Sequence, residues 1–180
     1  MKIAIIGYMG SGKTFLGRQL ARSCRFRFFD LDFEIEKASG STISELFEQH
    51  GERHFRTLER DVLRKVAWQK GPFVLATGGG TVMCEECRSI LRRTMIPVWI
   101  DPPFHVIWRR IRKSSLERPL VSSYSQSELR QIWYKRRKLY QSVALLHFPR
   151  VVSPINLLQK LQMLQILNIA ENRIPIRNSN

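Results

Sequence analysis

One eight-residue stretch constrains this chain more than any other feature. Gly7-Tyr8-Met9-Gly10-Ser11-Gly12-Lys13-Thr14 fits G-x-x-x-x-G-K-[ST] without a mismatch. It follows a short apolar run, Lys2–Ile6, and precedes a segment whose Phe15, Leu16, Leu20 and Ala21 give a helix an apolar side. Strand, glycine loop and helix in that order build a phosphate cradle. The glycines let backbone N–H groups turn toward anionic oxygens, and the helix start adds partial positive charge. Gly10, Ser11 and Gly12 would wrap the phosphates, Lys13 would reach the β- and γ-phosphates, and Thr14 would offer its hydroxyl to Mg²⁺. The motif specifies a nucleotide triphosphate but not what is done with it.

Further along, apolar runs and helical periodicity alternate. Phe26–Phe29, Phe73–Ala76, Pro97–Ile100 and His147–Val152 read as strands. Helices are expected over residues 13–23, 42–49, 52–68, 85–93, 104–113, 128–145 and 155–169. Thr42 and Glu45 form a capping box, and Gly51 ends the helix that follows them. Strands alternating with helices imply an α/β fold whose mostly parallel sheet is covered on both faces. Ligands in such folds gather at the carboxyl ends of strands, where Gly7, Asp30 and Gly78 all fall. At 180 residues the chain has the size of one domain, expected over 1–170. Polar Ser114–Ser127, which carries Arg118, is the candidate mobile lid, and 171–180 is expected to form a tail.

The remaining candidates lie near those strand ends. Asp30-Leu31-Asp32 puts two carboxylates on one side if the backbone stays extended. One would order the water shell of Mg²⁺ while the other takes a proton from an attacking hydroxyl; the alternative is a helix N-cap. Arg56 and Glu59 sit at i and i+3, where the glutamate can fix the guanidinium for a carboxylate or simply make a surface ion pair. Gly78-Gly79-Gly80 removes side chains where a ligand must approach backbone. Arg118 in the lid can swing over phosphates. Arg136 is either a second carboxylate clamp or one member of a basic run.

Charge and composition exclude some classes. The formal net charge of +15, from 30 Lys+Arg against 15 Asp+Glu, favours anionic partners without choosing among them. No apolar run approaches the roughly 20 residues of a membrane span, and the opening run is too short for a signal-peptide core. A cytoplasmic protein with no membrane role is therefore expected. Three cysteines make no disulfide framework, and Cys84-x-x-Cys87 lacks the further ligands of a zinc site. His50 and His54 have metal-like spacing, but Gly51 separates them. A nucleic-acid-stimulated ATPase would need a helicase-type second motif or an aromatic stacking platform; neither is recognisable, so no nucleic-acid partner is expected.

Taken together and in order, these motifs resemble the shikimate kinase family over roughly Lys2 to Val143. The family's phosphate loop, D-x-D, F-R-x-x-E, G-G-G, lid R-P-L and Arg ahead of L-Y read here as Gly7–Thr14, Asp30/Asp32, Phe55-Arg56…Glu59, Gly78–Gly80, Arg118-Pro119-Leu120, and Arg136 before Leu139-Tyr140. The resemblance implies a nucleoside-monophosphate-kinase-like, three-layer P-loop fold with a five-stranded parallel sheet. It implies phosphorylation of the 3-hydroxyl of shikimate by ATP with Mg²⁺, in the route to aromatic amino acids, by a monomer. It assigns Asp32, Arg56, Gly78–Gly80 and Arg136 to shikimate, with Asp32 meeting the hydroxyl. Thr14, and Asp30 through water, go to Mg²⁺. Gly10–Gly12, Lys13 and Arg118 go to the phosphates, and Arg110 to adenine. Phe148–Pro154 departs from the family's adenine loop, so Arg150 and Pro154 receive no role. A kinase for another hydroxy acid such as gluconate is the alternative within the same class.

Overall fold

The structure, a computed structural model, describes residues 1–113, 124–150 and 152–171, with side chains of the last helix described as far as residue 163. Most of the expected lid, including Arg118, and the tail beyond residue 171 lie outside the described residues. The elements are β1 (Lys2–Ile6), α1 (Lys13–Cys24), β2 (Arg27–Asp30), α2 (Leu31–Ser39), α3 (Ile43–Ala67), β3 (Phe73–Ala76), a 3-10 turn (Thr81–Met83), α4 (Glu85–Thr94), β4 (Ile96–Ile100), α5 (Phe104–Lys113), α6 (Gln126–Val143), β5 (Leu146–Phe148) and α7 (Pro154–Glu171). The sheet runs β2-β3-β1-β4-β5, and every neighbouring pair is parallel.

Alternation along the strands divides the core into two layers. Ala4, Ile6, Phe73, Leu75 and Trp99 face the side covered by α3, α4, α5 and α6, where Leu63, Val66, Leu91, Ile107 and Tyr140 are buried. Ile3, Ile5, Val74, Val98 and Ile100 face the other side and meet Leu16 and Leu20 of α1 and Leu157 and Leu161 of α7. Strands buried on both faces read as continuous apolar runs, which is why IAII and FVLA carry no polar residue. The expected three-layer α/β sandwich with a five-stranded parallel sheet is what forms.

Of the two readings open for Asp30-Leu31-Asp32, the helix N-cap forms and the extended loop does not: Asp30 ends β2 and caps α2, its Oδ1 accepting from the Asp32 backbone N–H at 3.2 Å. The side chain thereby satisfies an orphan helix donor, and the chain turns at that point. The two expected helices on either side of Gly51 form, and the glycine breaks the helix between them with φ 75° and ψ 173°; the whole span is labelled α3. The expected capping box at its start forms, Thr42 Oγ1 accepting from Glu45 N at 3.2 Å. Finally, α6 starts at Gln126 behind a second capping box, Ser125 with Glu128, so the last residues assigned to the lid belong to a helix cap and first turn.

Candidate active site

The site assembles at the carboxyl ends of β1, β2 and β3, where parallel strands point their unpaired backbone at one edge. The phosphate loop leaves β1 at Gly7 and enters α1 at Lys13. Gly12 takes φ 101°, a conformation that strains any residue with a Cβ. Lys13 is buried along the loop, 8% exposed, and its Nζ donates to Tyr8 O at 3.0 Å. The ammonium is thereby held across the loop at the helix N-terminus. Ser11 Oγ is buried with no hydrogen-bond partner among the described residues.

Thr14, in the first turn of α1, donates its hydroxyl to Asp30 Oδ2 at 2.8 Å. Asp30 thus joins two helix starts, with Oδ2 on α1 and Oδ1 on α2. A hydroxyl and a carboxylate side by side are the hard oxygen donors that Mg²⁺ takes, so the residues present fit that ion. Asp32 is exposed on the first turn of α2, and a Cβ on Gly78 would come within 2.8 Å of its Oδ1.

The glycine triplet after β3 holds the two halves of the site together. A Cβ on Gly79 would lie 2.9 Å from the backbone N of Met9 in the phosphate loop. One on Gly80 would drive into the guanidinium of Arg56. Three glycines in succession are required because phosphate loop, carboxylate and guanidinium all close on the same turn.

Arg56 is fixed from both sides. Its Nη1 donates to Glu59 Oε2 at 2.7 Å, and Nη2 reaches Glu52 Oε1 at 3.1 Å. Burial alone would lower the guanidinium's pKa; the field of Glu59, with the hydrogen bonds the guanidinium donates to Glu59 and Glu52, outweighs it and leaves the pKa raised. Glu59 is fully buried, and its other oxygen accepts from Thr81 Oγ1 at 2.6 Å. From the facing side, α6 places Arg136 Nη1 3.5 Å from Gly79 O and its guanidinium over the Tyr8 ring at 5.6 Å. Tyr140 donates to the same Gly79 carbonyl at 2.6 Å, and burial pushes its hydroxyl pKa up, keeping it a donor.

Contacts at the glycine turn and the phosphate loop therefore link the sequence-derived residues Lys13, Thr14, Asp30, Asp32, Arg56, Gly78–Gly80 and Arg136. Arg110 Nη1 donates to Gly10 O at 3.2 Å and Ser11 O at 2.8 Å, which ties α5 to the phosphate loop. Cys84 caps α4, its thiol 3.1 Å from Glu86 Oε2, and Cys87 is buried. The His50 and His54 rings lie 4.7 Å apart on either side of the α3 kink. Sequence reasoning missed Thr81 and Tyr140. A buried tyrosine must find a partner for its hydroxyl, and Tyr140 follows the Arg136 motif closely, so that signal was readable.

A phosphate loop on the first strand of a parallel five-stranded sheet, with a second group of carboxylate and guanidinium side chains across the glycine turn, is the arrangement of a P-loop fold of the nucleoside-monophosphate-kinase type. The family model "Shikimate kinase" matches residues 9–165. A shikimate kinase of Nitrobacter winogradskyi is 41% identical over 140 residues, 77% of this chain and 64% of the relative. One from Bradyrhizobium diazoefficiens is 43% identical over 67% of this chain and 58% of its own length. One from Aquifex aeolicus is 39% identical over 78% of this chain and 82% of its own length. The chain thus spans under two thirds of the first two relatives. Among solved structures, the shikimate kinase of Acinetobacter baumannii in complex with shikimate superposes with a TM-score of 0.77 at 32% identity, over 97% of this chain and 95% of that one. The Aquifex aeolicus shikimate kinase gives 0.78 at 34% identity, over 94% and 98%. This chain belongs to the shikimate kinase family.

Proposed function

We propose that the chain is a shikimate kinase that transfers the γ-phosphoryl group of ATP to the 3-hydroxyl of shikimate, releasing ADP and shikimate 3-phosphate for aromatic amino-acid biosynthesis. The observation that carries this reading is the glycine turn. It brings Asp32, Arg56 and Arg136 against the phosphate loop through contacts at Gly78, Gly80 and Gly79 respectively.

Phosphoryl transfer asks mainly for positioning and charge neutralisation. Arg56, held by Glu59 and Glu52, presents a guanidinium from one side of the turn, and Arg136 presents a second from the other. Two such groups suit a carboxylate. Asp32 orients the 3-hydroxyl and takes its proton as the oxygen bonds to the γ-phosphorus and the bond from that phosphorus to the β-bridging oxygen breaks. Gly10, Ser11, Gly12 and Lys13 hold the departing ADP phosphates. Thr14, and Asp30 through water, would hold Mg²⁺, which supplies countercharge for the β- and γ-oxygens when bound. Arg118, outside the described residues, is assigned to the same phosphates, with the segment around it as a lid. Arg110 supports the loop beneath them, and an adenine contact would be a second role for it. No helix of the described residues is long and apolar enough to cross a membrane, and we assign the protein to the cytoplasm as a monomer.

Coupled assays of ADP formation with shikimate, gluconate and AMP test the reading. Turnover with shikimate alone is the expected result. Turnover with gluconate or AMP and none with shikimate would replace it.

A further inference from the structure

At the ends of β4 and β5 lies an ionic cluster that neither substrate is assigned to touch. Asp101, the residue after β4, is 5% exposed, and its backbone N–H donates to Phe148 O at 2.9 Å. Its Oδ2 accepts from Arg137 Nη2 at 2.8 Å and Nε at 3.1 Å, and His147 Nε2 stands 3.3 Å away. Aromatic rings enclose the pair. The His147 ring stacks on Trp99 at 4.0 Å, and the Arg137 guanidinium lies over Trp99 at 5.7 Å and Trp133 at 5.0 Å. A buried carboxylate is tolerated only with charged, hydrogen-bonded partners, so Asp101 and Arg137 hold each other in place.

The importance of the cluster lies in what it connects. Arg137 follows Arg136 on α6, about 100° further round the helix, so the helix rotation that keeps Arg137 on Asp101 also sets the side from which the Arg136 side chain leaves the backbone. The same helix meets the cleft at Leu129, whose carbonyl accepts from Tyr8 OH at 3.4 Å, and at Arg136 and Tyr140, both on Gly79 O. Ile100, just before Asp101, places its carbonyl oxygen where a Cβ on Gly7 would have to go. Asp101 therefore ties α6 to the strand end on which the phosphate loop rests.

We propose that Asp101 and Arg137, shielded by His147, form a positioning pair for the acceptor side: they set the rotation of α6 so that Arg136 faces the glycine turn and the acceptor's carboxylate. The pair touches no substrate itself. This inference rests on the assignment of Arg136 to that carboxylate.

Steady-state kinetics with ATP and shikimate test it on wild type, Arg137→Met, Arg137→Lys and His147→Gln. Wild type without shikimate-dependent ADP formation would overturn the functional reading and this inference with it. With wild type active, Arg137→Met is expected to raise KM for shikimate roughly tenfold, the scale of a side-chain coupling between neighbouring groups. KM for ATP should stay within about twofold of wild type, since the phosphate loop keeps its own contacts. Arg137→Lys, which keeps the charge, is expected to recover most of the loss. Equal rises in both KM values, no rise in either, or a lysine variant no better than methionine would each refute the pair's role. If Arg137→Met does not fold, His147→Gln decides: a rise of roughly twofold in KM for shikimate alone supports the proposal, and unchanged kinetics overturns it.

Discussion

Replacing Glu59 by glutamine removes one negative charge from a side chain that is 1% exposed and changes almost nothing else in shape. Glutamine can still accept from Thr81, which now approaches one carboxylate oxygen at 2.6 Å. Toward Arg56 it must either present an amide N–H₂ to a guanidinium, donor against donor, or flip and face Thr81 with its amide instead. Breaking a buried ion pair by deleting one partner costs about 3–5 kcal/mol. Arg56 is 18% exposed and retains Glu52, itself 63% exposed, so solvent and the second carboxylate recover part of that. The expected loss is about 2–3 kcal/mol of stability. For a chain of this size that corresponds to a fall in Tm of roughly 5–10 °C. Arg56 also loses the contact that aims it, so KM for shikimate is expected to rise roughly tenfold or more, with KM for ATP nearly unchanged. Thermal denaturation and initial-rate kinetics on the same preparation measure both effects. A variant with wild-type Tm and wild-type KM for shikimate would refute the claim that Glu59 holds Arg56 in a working position.

Three further outcomes are expected. Asp32→Asn should lose turnover by roughly 10²-fold or more, the usual scale for a proton-accepting side chain, while ATP affinity measured by calorimetry stays within about twofold. Gly80→Ala places a methyl group against the tip of Arg56, a flexible side chain, while Gly80 itself has an ordinary φ of −105°. KM for shikimate should therefore rise and Tm should fall by an amount comparable to that of Glu59→Gln, because the displaced guanidinium leaves the buried Glu59 carboxylate without its partner; wild-type values of both would refute the contact. Burial pushes the Cys87 thiol pKa well up, with the neighbouring Cys84 adding to the effect. Iodoacetamide at pH 8 should therefore label Cys84 in the native protein and Cys87 only after unfolding, as peptide mass spectrometry would reveal.

The phosphate loop was legible in the sequence because it is local, a contiguous run whose glycines have a backbone reason. The i, i+3 spacing of Arg56 and Glu59 allowed their contact but left a surface ion pair equally open, and only the family resemblance gave Arg56 a role. The continuous runs IAII and FVLA likewise announced strands buried on both faces. Asp30 and Asp32 were recognisable as site candidates and the N-cap was one of two readings of their backbone, but the helix that follows was not foreseen. Leu31 and Ile35, the buried residues of α2, make too short an apolar stripe to register as a helix, and the side-chain cap of Asp30 decides the turn. Contacts between distant segments left no local trace. Arg110 lies 99 residues from Ser11, and Arg137 lies 36 from Asp101. Only the assembled sheet brings Arg110 beneath the phosphate loop and Arg137 onto the end of β4. For Tyr140 the sequence marked the residue as part of a motif and its hydroxyl as needing a partner, but that the partner is Gly79 O came only with the fold.

The most direct measurement is a crystal structure of the protein with ADP and shikimate bound together. The diphosphate is expected in the loop of Gly10 to Lys13, the shikimate carboxylate between the guanidinium groups of Arg56 and Arg136, and the 3-hydroxyl within hydrogen-bond reach of Asp32. Shikimate bound away from the Gly78–Gly80 turn, with Asp32 and Arg56 directed elsewhere, would contradict this placement.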